Sequence, residues 1–486
     1  MACSDIFKGQ RIRPNERDDW EPLIPPVLHE NHRSSRCAFC FKKFTEKPIL
    51  IHADKQSPKY RLLLCSPTCR DGGIINSFDR EQEAIWKLCE NGGGPPKIFS
   101  TAILLYRIVR TIQKDPDIKT IVDFHQGRPV DELSEEDDNL HHTRAVIATV
   151  VGMLQSSPSA NDDIFLPPLD ELANLVSKIK INGFSICDGE SVALGVGFYS
   201  LSRAINHSCK PNMIQTFLYG QQQPPTLIIT ACENVSEHQE LCLSYIESSC
   251  PRSKRRQILQ AEYRFWCDCA LCQDDDRESK VIGLICSNCS SAVPVKYAEH
   301  LEEARCIYKC SECGFDDFKL QLQKLNEFPF VPPHSPTILE LEETYQYFRS
   351  ICFPYSWFVQ ESGERLVQGL LEVLGKASYQ PGEEERSASL VMQDRDARRE
   401  GVATEAAMRA LQVIDELRHH ATGESSAVDS IKRSLLTYKA AKLRLFLFPD
   451  PRQAIEELNM GLKTLRLYYP QNHELILGLH ETLSMI

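Results

Sequence analysis

Apolar positions recur along the chain with two different periods. In STAILLYRIVRTIQ, Ser100 to Gln113, the residues Ile103, Tyr106, Val109 and Ile112 fall at three-residue steps, which predicts a helix with one buried face and Ser100 as its cap. TLIIT, Thr226 to Thr230, follows the turn-prone QQQPP and reads as a strand, and LCLSY, Leu241 to Tyr245, reads as another. Beyond Pro336 the pattern becomes helical. SIKRSLLTYKAAKLRLFLF, from Ser430, and PRQAIEELNMGLKTLRLYY, from Pro451, carry apolar residues at three- and four-residue steps and predict a helix pair, with Pro451 suited to the first turn of the second. The charged stretches PGEEERSASLVMQDRDARRE, from Pro381, and SEEDD, from Ser134, read as exposed loops or helix faces.

Composition bounds the picture. With 486 residues and 42% hydrophobic content, the chain can build two to four domains, each with its own core. No apolar run approaches the roughly 18 residues that span a bilayer, and MACSDIFKGQ lacks the apolar stretch of a signal peptide, so a soluble protein in a reducing compartment is expected. There, twenty cysteines point to metal or catalysis rather than disulfides. The net charge of −12 argues against broad nucleic-acid binding and leaves a basic peptide open as partner. The one dense basic run is PRSKRR, from Pro251.

The cysteines fall into groups. CAFC and CSPTC give Cys37, Cys40, Cys65 and Cys69, two close pairs of the kind that tetrahedral zinc requires; the alternative is reduced cysteines in a small core. CSNC and CSEC, with Cys286, Cys289, Cys310 and Cys313, have the spacing of a zinc ribbon. CDCALC offers Cys267, Cys269 and Cys272, one ligand short of a tetrahedron. The stretch RAINHSCKPNM supplies the unpaired Cys209, and a zinc shared by these four would clamp two distant segments together. Its crowd of polar groups suggests backbone turning to meet a ligand.

In order and spacing, NHSCKPN, then ELCLSYIE, then CPRSKRRQILQAEYRFWCDCALC resembles the SET and post-SET signature of the SET-and-MYND-domain (SMYD) lysine methyltransferases, and the first cysteine group resembles a reduced MYND finger. The resemblance runs from about Pro22 to the C-terminus. It implies a mixed α+β fold: a β-rich SET domain split by a MYND-type zinc finger and a helical insert, then a post-SET zinc knot, a zinc ribbon and a helical, TPR-like C-terminal domain. The implied divisions are 1–36 for the N-terminal part of SET, 37–89 for the finger, 90–180 for the insert and 181–249 for the SET core. The post-SET segment follows at 250–275, the ribbon at 276–330 and the helical domain at 334–486.

The resemblance also implies an activity, transfer of methyl groups from S-adenosylmethionine to lysines of histone or non-histone proteins. Tyr245 matches the catalytic tyrosine; Asn182, Asn206, His207 and Phe265 match cofactor contacts; Phe184 and Tyr263 match the walls of the lysine channel. Plainer readings stand beside these. Tyr245 could be a strand-end tyrosine with a satisfied hydroxyl, Asn206 and His207 a turn with a core histidine, and the aromatics packing for the zinc knot, the reading preferred for Trp266.

Several features depart from the family pattern. The finger keeps ligands for one zinc rather than two, with Cys89 a lone remnant, so three zinc ions in all are expected. FKGQRIRPNERDDWEPLI offers only Gly9 where the family has a glycine-rich turn over the cofactor, and SEHQEL stands where the family has a glycine before the strand leading to Tyr245. The rival reading is therefore a catalytically weak scaffold that binds proline-rich or basic peptides. A monomer, without membrane or nucleic-acid partners and distributed between cytoplasm and nucleus, is expected.

Overall fold

The chain has a mixed α/β fold in the computed structural model, which describes residues 4–12, 21–50, 62–71, 81–85, 87, 99–125, 127, 138–155, 166–200, 205–293, 295–296, 307–329, 335–377, 391–419 and 427–486. It divides into two units. The first holds Met1–His207, Pro211–Leu243 and Tyr468–Gly478; the second holds Ser208–Lys210, Ser244–Leu467 and Leu479–Ile486.

The first unit is framed by an antiparallel sheet of β1 (Pro22–Leu28), β2 (Gly183–Cys187) and β3 (Ala193–Tyr199), with β3 in the centre. Pro25 and Pro26 are tolerated in β1 because it is an edge strand, where a missing N–H breaks no ladder on the open side. At the centre, Gly195 pairs with Leu28, and a Cβ on Gly195 would fall 2.3 Å from the Val27 carbonyl and 2.7 Å from the Phe41 ring. Only glycine allows that approach.

β4 (Asn206–His207), β5 (Met213–Leu218), β6 (Thr226–Ala231) and β7 (Cys242–Leu243) complete the strands of this unit that bear on the site. β5 and β6 form a hairpin, with Met213 opposite Ala231 and Leu218 opposite Thr226. The sequence pattern thus locates TLIIT well. It overextends LCLSY: the strand covers only Cys242 and Leu243, and Tyr245 lies beyond it. The N-terminal segment runs along β6, with Gly9 N–H donating to Ala231 O at 2.8 Å, Ala231 N–H to Gln10 O at 2.9 Å and Ile12 N–H to Ile229 O at 3.0 Å. Gly9, at φ +83°, supplies the left-handed turn between these bonds. Leu28, Phe41, Leu194, Tyr199, Phe217, Leu227 and Ile229 bury their side chains between the strands.

A helical layer covers the sheet's other side. Ile103, Leu104 and Val109 from α1 (Phe99–Lys114) pack with Val146 and Val150 from α2 (Asp138–Gln155), Leu172 and Val176 from α3 (Leu169–Asn182), and Ile24, Val27 and Phe198 from the sheet. Ser100 is not the cap of α1. It lies inside the helix, with its Oγ 2.9 Å from His29 Nδ1. Ala102 through Tyr106 are all buried, a broader face than a single stripe, because α1 meets neighbours on several sides. Its Arg107, 6% exposed, donates to both carboxylate oxygens of the buried Glu81 at 2.7 and 2.8 Å and to the Pro25 and Pro26 carbonyls, which ties the helix to β1. Tyr468–Gly478 also belongs to this unit: Glu474 pairs with Arg36 at 3.2 Å and the Tyr469 carbonyl accepts from Arg11 at 3.2 Å.

In the second unit α4 (Arg252–Ile258) carries most of the basic run, and the structure removes much of that charge from solvent. Arg252 is 2% and Arg255 0% exposed; Glu278 sits 3.8 Å from Arg255, and Asp275 bonds Arg252 at 2.6 Å. Helices α5 (Ile338–Ile351), α6 (Trp357–Ala377), α7 (Val391–His419) and α8 (Ala427–Leu447) enclose a core of Phe348, Phe358, Leu366, Ala407, Ala410, Ile414 and Leu443. The predicted pair is α8 and α9 (Arg452–Tyr468), joined by Arg444 to Glu457 at 3.1 Å. Pro451 precedes α9, and its carbonyl accepts the first helical bond, from Ile455. Of the charged stretch from Pro381, residues 391–400 are helical and 381–390 lie outside the described residues, as do Cys89 and 134–137.

Candidate functional site

β4 and β7 pair in parallel, Asn206 opposite Cys242 and His207 opposite Leu243. Two residues do not make a stable ladder alone. The pairing is held by Asn212, 5% exposed, whose Nδ2 donates to the Glu240 carbonyl at 2.8 Å and whose Oδ1 accepts from the Cys242 N–H at 2.8 Å. The Glu240 side chain then accepts from Asn206 Nδ2 at 2.7 Å. Sequence reasoning passed over Asn212 and Glu240. The signal available was the second asparagine of NHSCKPN, an uncapped amide next to a proline and so a natural clamp for non-ladder backbone.

Asn182 ends α3 and is buried, with Nδ2 donating to the Lys178 carbonyl at 2.9 Å. Two residues on, the half-buried Phe184 packs edge-on against Tyr199, centroids 5.7 Å apart, and against Phe217 at 6.4 Å. These residues, with Asn206 and His207, lie in the first unit.

In the second unit Tyr245, Tyr263 and Phe265 are half-buried and form a chain of rings, 5.0 Å from Tyr245 to Tyr263 and 6.5 Å from Tyr263 to Phe265, packed against Cys209, Leu259, Cys267 and Cys272. Burial, with the Glu262 carboxylate adding to it, pushes the Tyr263 phenol above its ordinary range, so it stays protonated at neutral pH. Trp266 corrects its sequence reading. It is 63% exposed rather than packed into the knot, with the Arg256 guanidinium 4.8 Å from its ring centroid.

All three cysteine tetrads assemble: Cys37, Cys40, Cys65 and Cys69; Cys209, Cys267, Cys269 and Cys272; Cys286, Cys289, Cys310 and Cys313, the ligand atoms of each lying within 4.8 Å of one another. Individual sulfur separations are 3.6 Å for Cys40–Cys65, 3.8 Å for Cys209–Cys267 and 3.5 Å for Cys289–Cys310. A tetrahedron with metal–sulfur bonds of about 2.3 Å has edges of about 3.8 Å, so each set fits zinc. Within the first tetrad the crowded sulfurs act on one another: hydrogen bonds from Cys40 and Cys69 hold the Cys37 thiol down, while Cys37 and then Cys69 push Cys40 up. A divalent cation resolves that conflict by taking all four as thiolates. A metal held by four protein ligands would have no open position, so its role would be structural.

A cavity of about 660 Å³ lies elsewhere in the second unit, lined by Arg277, Lys432, Glu361, Glu364 and Trp357 among others. No residue singled out from the sequence borders it.

Residues 107–246 match the SET domain family. The span takes in Asn182, Phe184, Asn206, His207, Cys209 and Tyr245 and stops before Tyr263, Phe265 and the remaining knot cysteines. The chain is 32% identical over 299 residues to the histone-lysine N-methyltransferase ASHR1 of Arabidopsis thaliana, covering 58% of this chain and 57% of that protein. It is 32% identical over 117 residues to human histone-lysine N-methyltransferase SMYD3, covering 24% of this chain and 26% of that one. It is 24% identical over 258 residues to human N-lysine methyltransferase SMYD2, 53% of this chain and 55% of that one. The chain thus spans little more than half the length of the curated relatives it matches most extensively. No helix among the described residues is long and apolar enough to cross a membrane.

Proposed function

We propose that this chain, a protein of the SET/SMYD family, transfers methyl groups from S-adenosylmethionine to lysine side chains of protein substrates. The observation that carries this reading is the SET match, which ends one residue past Tyr245. The relatives act on histone lysines or on protein lysines by name, and the same substrate class is proposed here.

The reaction is an in-line displacement on carbon. A lysine amine with an ordinary pKa of about 10.4 must first lose its proton and then be held in line, so the enzyme contributes alignment, water exclusion and a path for the proton. The cofactor, when bound, supplies the electrophilic methyl carbon. On this reading the Tyr245 hydroxyl orients the amine, Phe184 and Tyr263 wall the channel, Asn182, Asn206 and His207 hold the cofactor, and Phe265 covers its adenine. Asn206 is exposed, with its Nδ2 held by Glu240 and its amide oxygen left to face a polar headgroup, and the half-exposed Phe265 suits a purine. Aromatic faces also favour a neighbouring sulfonium or ammonium. The neutral Tyr263 phenol suits a wall better than a base.

The first tetrad is read as a one-zinc MYND-type finger, the second as the post-SET knot, the third as a ribbon, and the helices after Pro336 as a TPR-like domain, with the divisions that the family resemblance implies. A monomer working in cytoplasm and nucleus completes the reading.

The test is calorimetry with S-adenosylmethionine together with methyl transfer to histones, on the parent and on Tyr245→Phe. The variant keeps its ring, so stability should change by about 1 kcal/mol, cofactor affinity should hold, and turnover should fall about a hundredfold. A parent that binds no cofactor, or a variant as fast as the parent, returns the chain to the scaffold reading.

A further inference from the structure

Tyr263 and Phe265 are two residues apart, and on a continuing helix side chains at that spacing point away from each other. Their rings nevertheless lie 6.5 Å apart, and Tyr263 extends the contact to Tyr245 at 5.0 Å. The backbone between them accounts for this. Leu259–Tyr263 forms a single π-helical turn, a feature that recurs at functional sites, and Arg264, which ends it, takes φ 61° and ψ 33°. That left-handed conformation is disfavoured for any residue with a Cβ and persists only where the surroundings impose it. Beyond the corner the outgoing chain is fixed by Arg256: its guanidinium stacks 4.8 Å from the Trp266 centroid, its Nε donates to the Cys267 carbonyl at 3.0 Å, and its Nη2 lies 3.5 Å from the Asp268 carboxylate.

We propose that Arg264 is a positioning residue for methyl transfer: its left-handed backbone, rather than its exposed side chain, swings Phe265 round to the Tyr263 side and so sets the aromatic wall beside Tyr245. A right-handed residue 264 would carry the helix on and send Phe265 to the opposite face. The position should accept residues at ease in the left-handed region and reject β-branched ones. The inference rests on the reading of Tyr245, Tyr263 and Phe265 as parts of one methyl-transfer site, and its test has an arm that does not.

The experiment compares full-length Arg264→Gly, Arg264→Asn and Arg264→Val with the parent. Each is followed by near-ultraviolet circular dichroism, zinc content, the Kd of S-adenosylmethionine and the kinetics of methyl transfer. Gly and Asn should stay within about twofold of the parent in Kd and kcat and keep its dichroism. Val should lower kcat/KM about tenfold, equivalent to about 1.4 kcal/mol, and alter the aromatic dichroism with zinc content unchanged. If Val releases zinc, Arg264→Thr makes the same comparison with less bulk. Equal losses in Gly and Val would overturn the proposal by assigning the role to the side chain, and a Val variant matching the parent in dichroism and kinetics would overturn it outright. A parent that transfers no methyl group refutes the proposed function instead, and the dichroism of Val against Gly then decides whether the corner sets the rings.

Discussion

Replacing Asn212 with alanine should loosen the strand pairing on which the candidate site depends. The side chain is 5% exposed and makes two bonds to the backbone at the start of β7, donating to Glu240 O and accepting from Cys242 N–H, both at 2.8 Å. A typical bond contributes about 1 kcal/mol net, and a partner left unsatisfied in a half-buried place costs about 1–3 kcal/mol. Glu240 is exposed enough for water to replace one bond; Cys242 is half-buried. The sum is about 2–4 kcal/mol. For a unit of this size each kcal/mol moves Tm by about 2–4 °C, so the melting transition should fall by about 4–16 °C. Asn212→Asp separates the two bonds. It keeps the acceptor for Cys242 N–H but sets a carboxylate oxygen against the Glu240 carbonyl, so at pH 7 it should be no more stable than the alanine variant. Below about pH 5 the carboxyl gains a proton that it can donate, and Asn212→Asp should recover relative to the parent. The assay is thermal denaturation by circular dichroism, with S-adenosylmethionine calorimetry alongside. An alanine variant melting within 2 °C of the parent, or an aspartate variant as stable as the parent at pH 7, would show that the pairing does not rest on Asn212.

Metal analysis should return three zinc ions per chain, and Cys209→Ser should lower that by about one while disordering the Tyr245 ring cluster in near-ultraviolet dichroism; one ion or none in the parent would refute the tetrad assignments. Gly195→Ala should cost about 3 kcal/mol or more, because its Cβ meets a backbone carbonyl at 2.3 Å, whereas Gly401→Ala, in a helix interior with nothing within 4 Å, should gain about 0.5–1 kcal/mol; chemical denaturation checks both signs. His473 is held down to about 4 by burial, and its Nδ1 accepts from the Leu475 N–H at 3.1 Å. The unfolded chain binds that proton at about 6.5, so the histidine's contribution is complete above that pH and is lost as pH falls from about 6.5 to 4, about 2 kcal/mol by pH 5. A His473→Asn variant should show a correspondingly flatter stability profile over that range, and an unchanged slope would refute the assignment.

The cysteine tetrads were legible in the sequence because thiol chemistry fixes them: each close pair can meet a metal only as a unit, and the lone Cys209 needed partners that only one incomplete group could supply. The helices at Phe99–Lys114, Ala427–Leu447 and Arg452–Tyr468 and the strand at Thr226–Ala231 were legible because burial on one face imposes a period that the chain must carry locally. The roles of Ser100, Trp266 and Asn212 were not. Ser100 has the chemistry of a cap, yet His29, 71 positions away, takes its hydroxyl. Trp266 has the composition of a core residue and is exposed because the corner at Arg264 turns the following chain outward, where Arg256 meets it. PRSKRR reads in the sequence only as a dense basic run, and nothing there foretells that Glu278 and Asp275 fold against Arg255 and Arg252. The parallel pairing of Asn206–His207 with Cys242–Leu243 joins residues 36 apart through a side-chain clamp that leaves no periodic trace. One-sided burial acts on neighbours in sequence and is written there, and close cysteine pairs announce metal ligation even where a ligand such as Cys209 lies 58 positions from Cys267; ring contacts, buried ion pairs and clamps act between segments that only the folded chain brings within hydrogen-bonding reach.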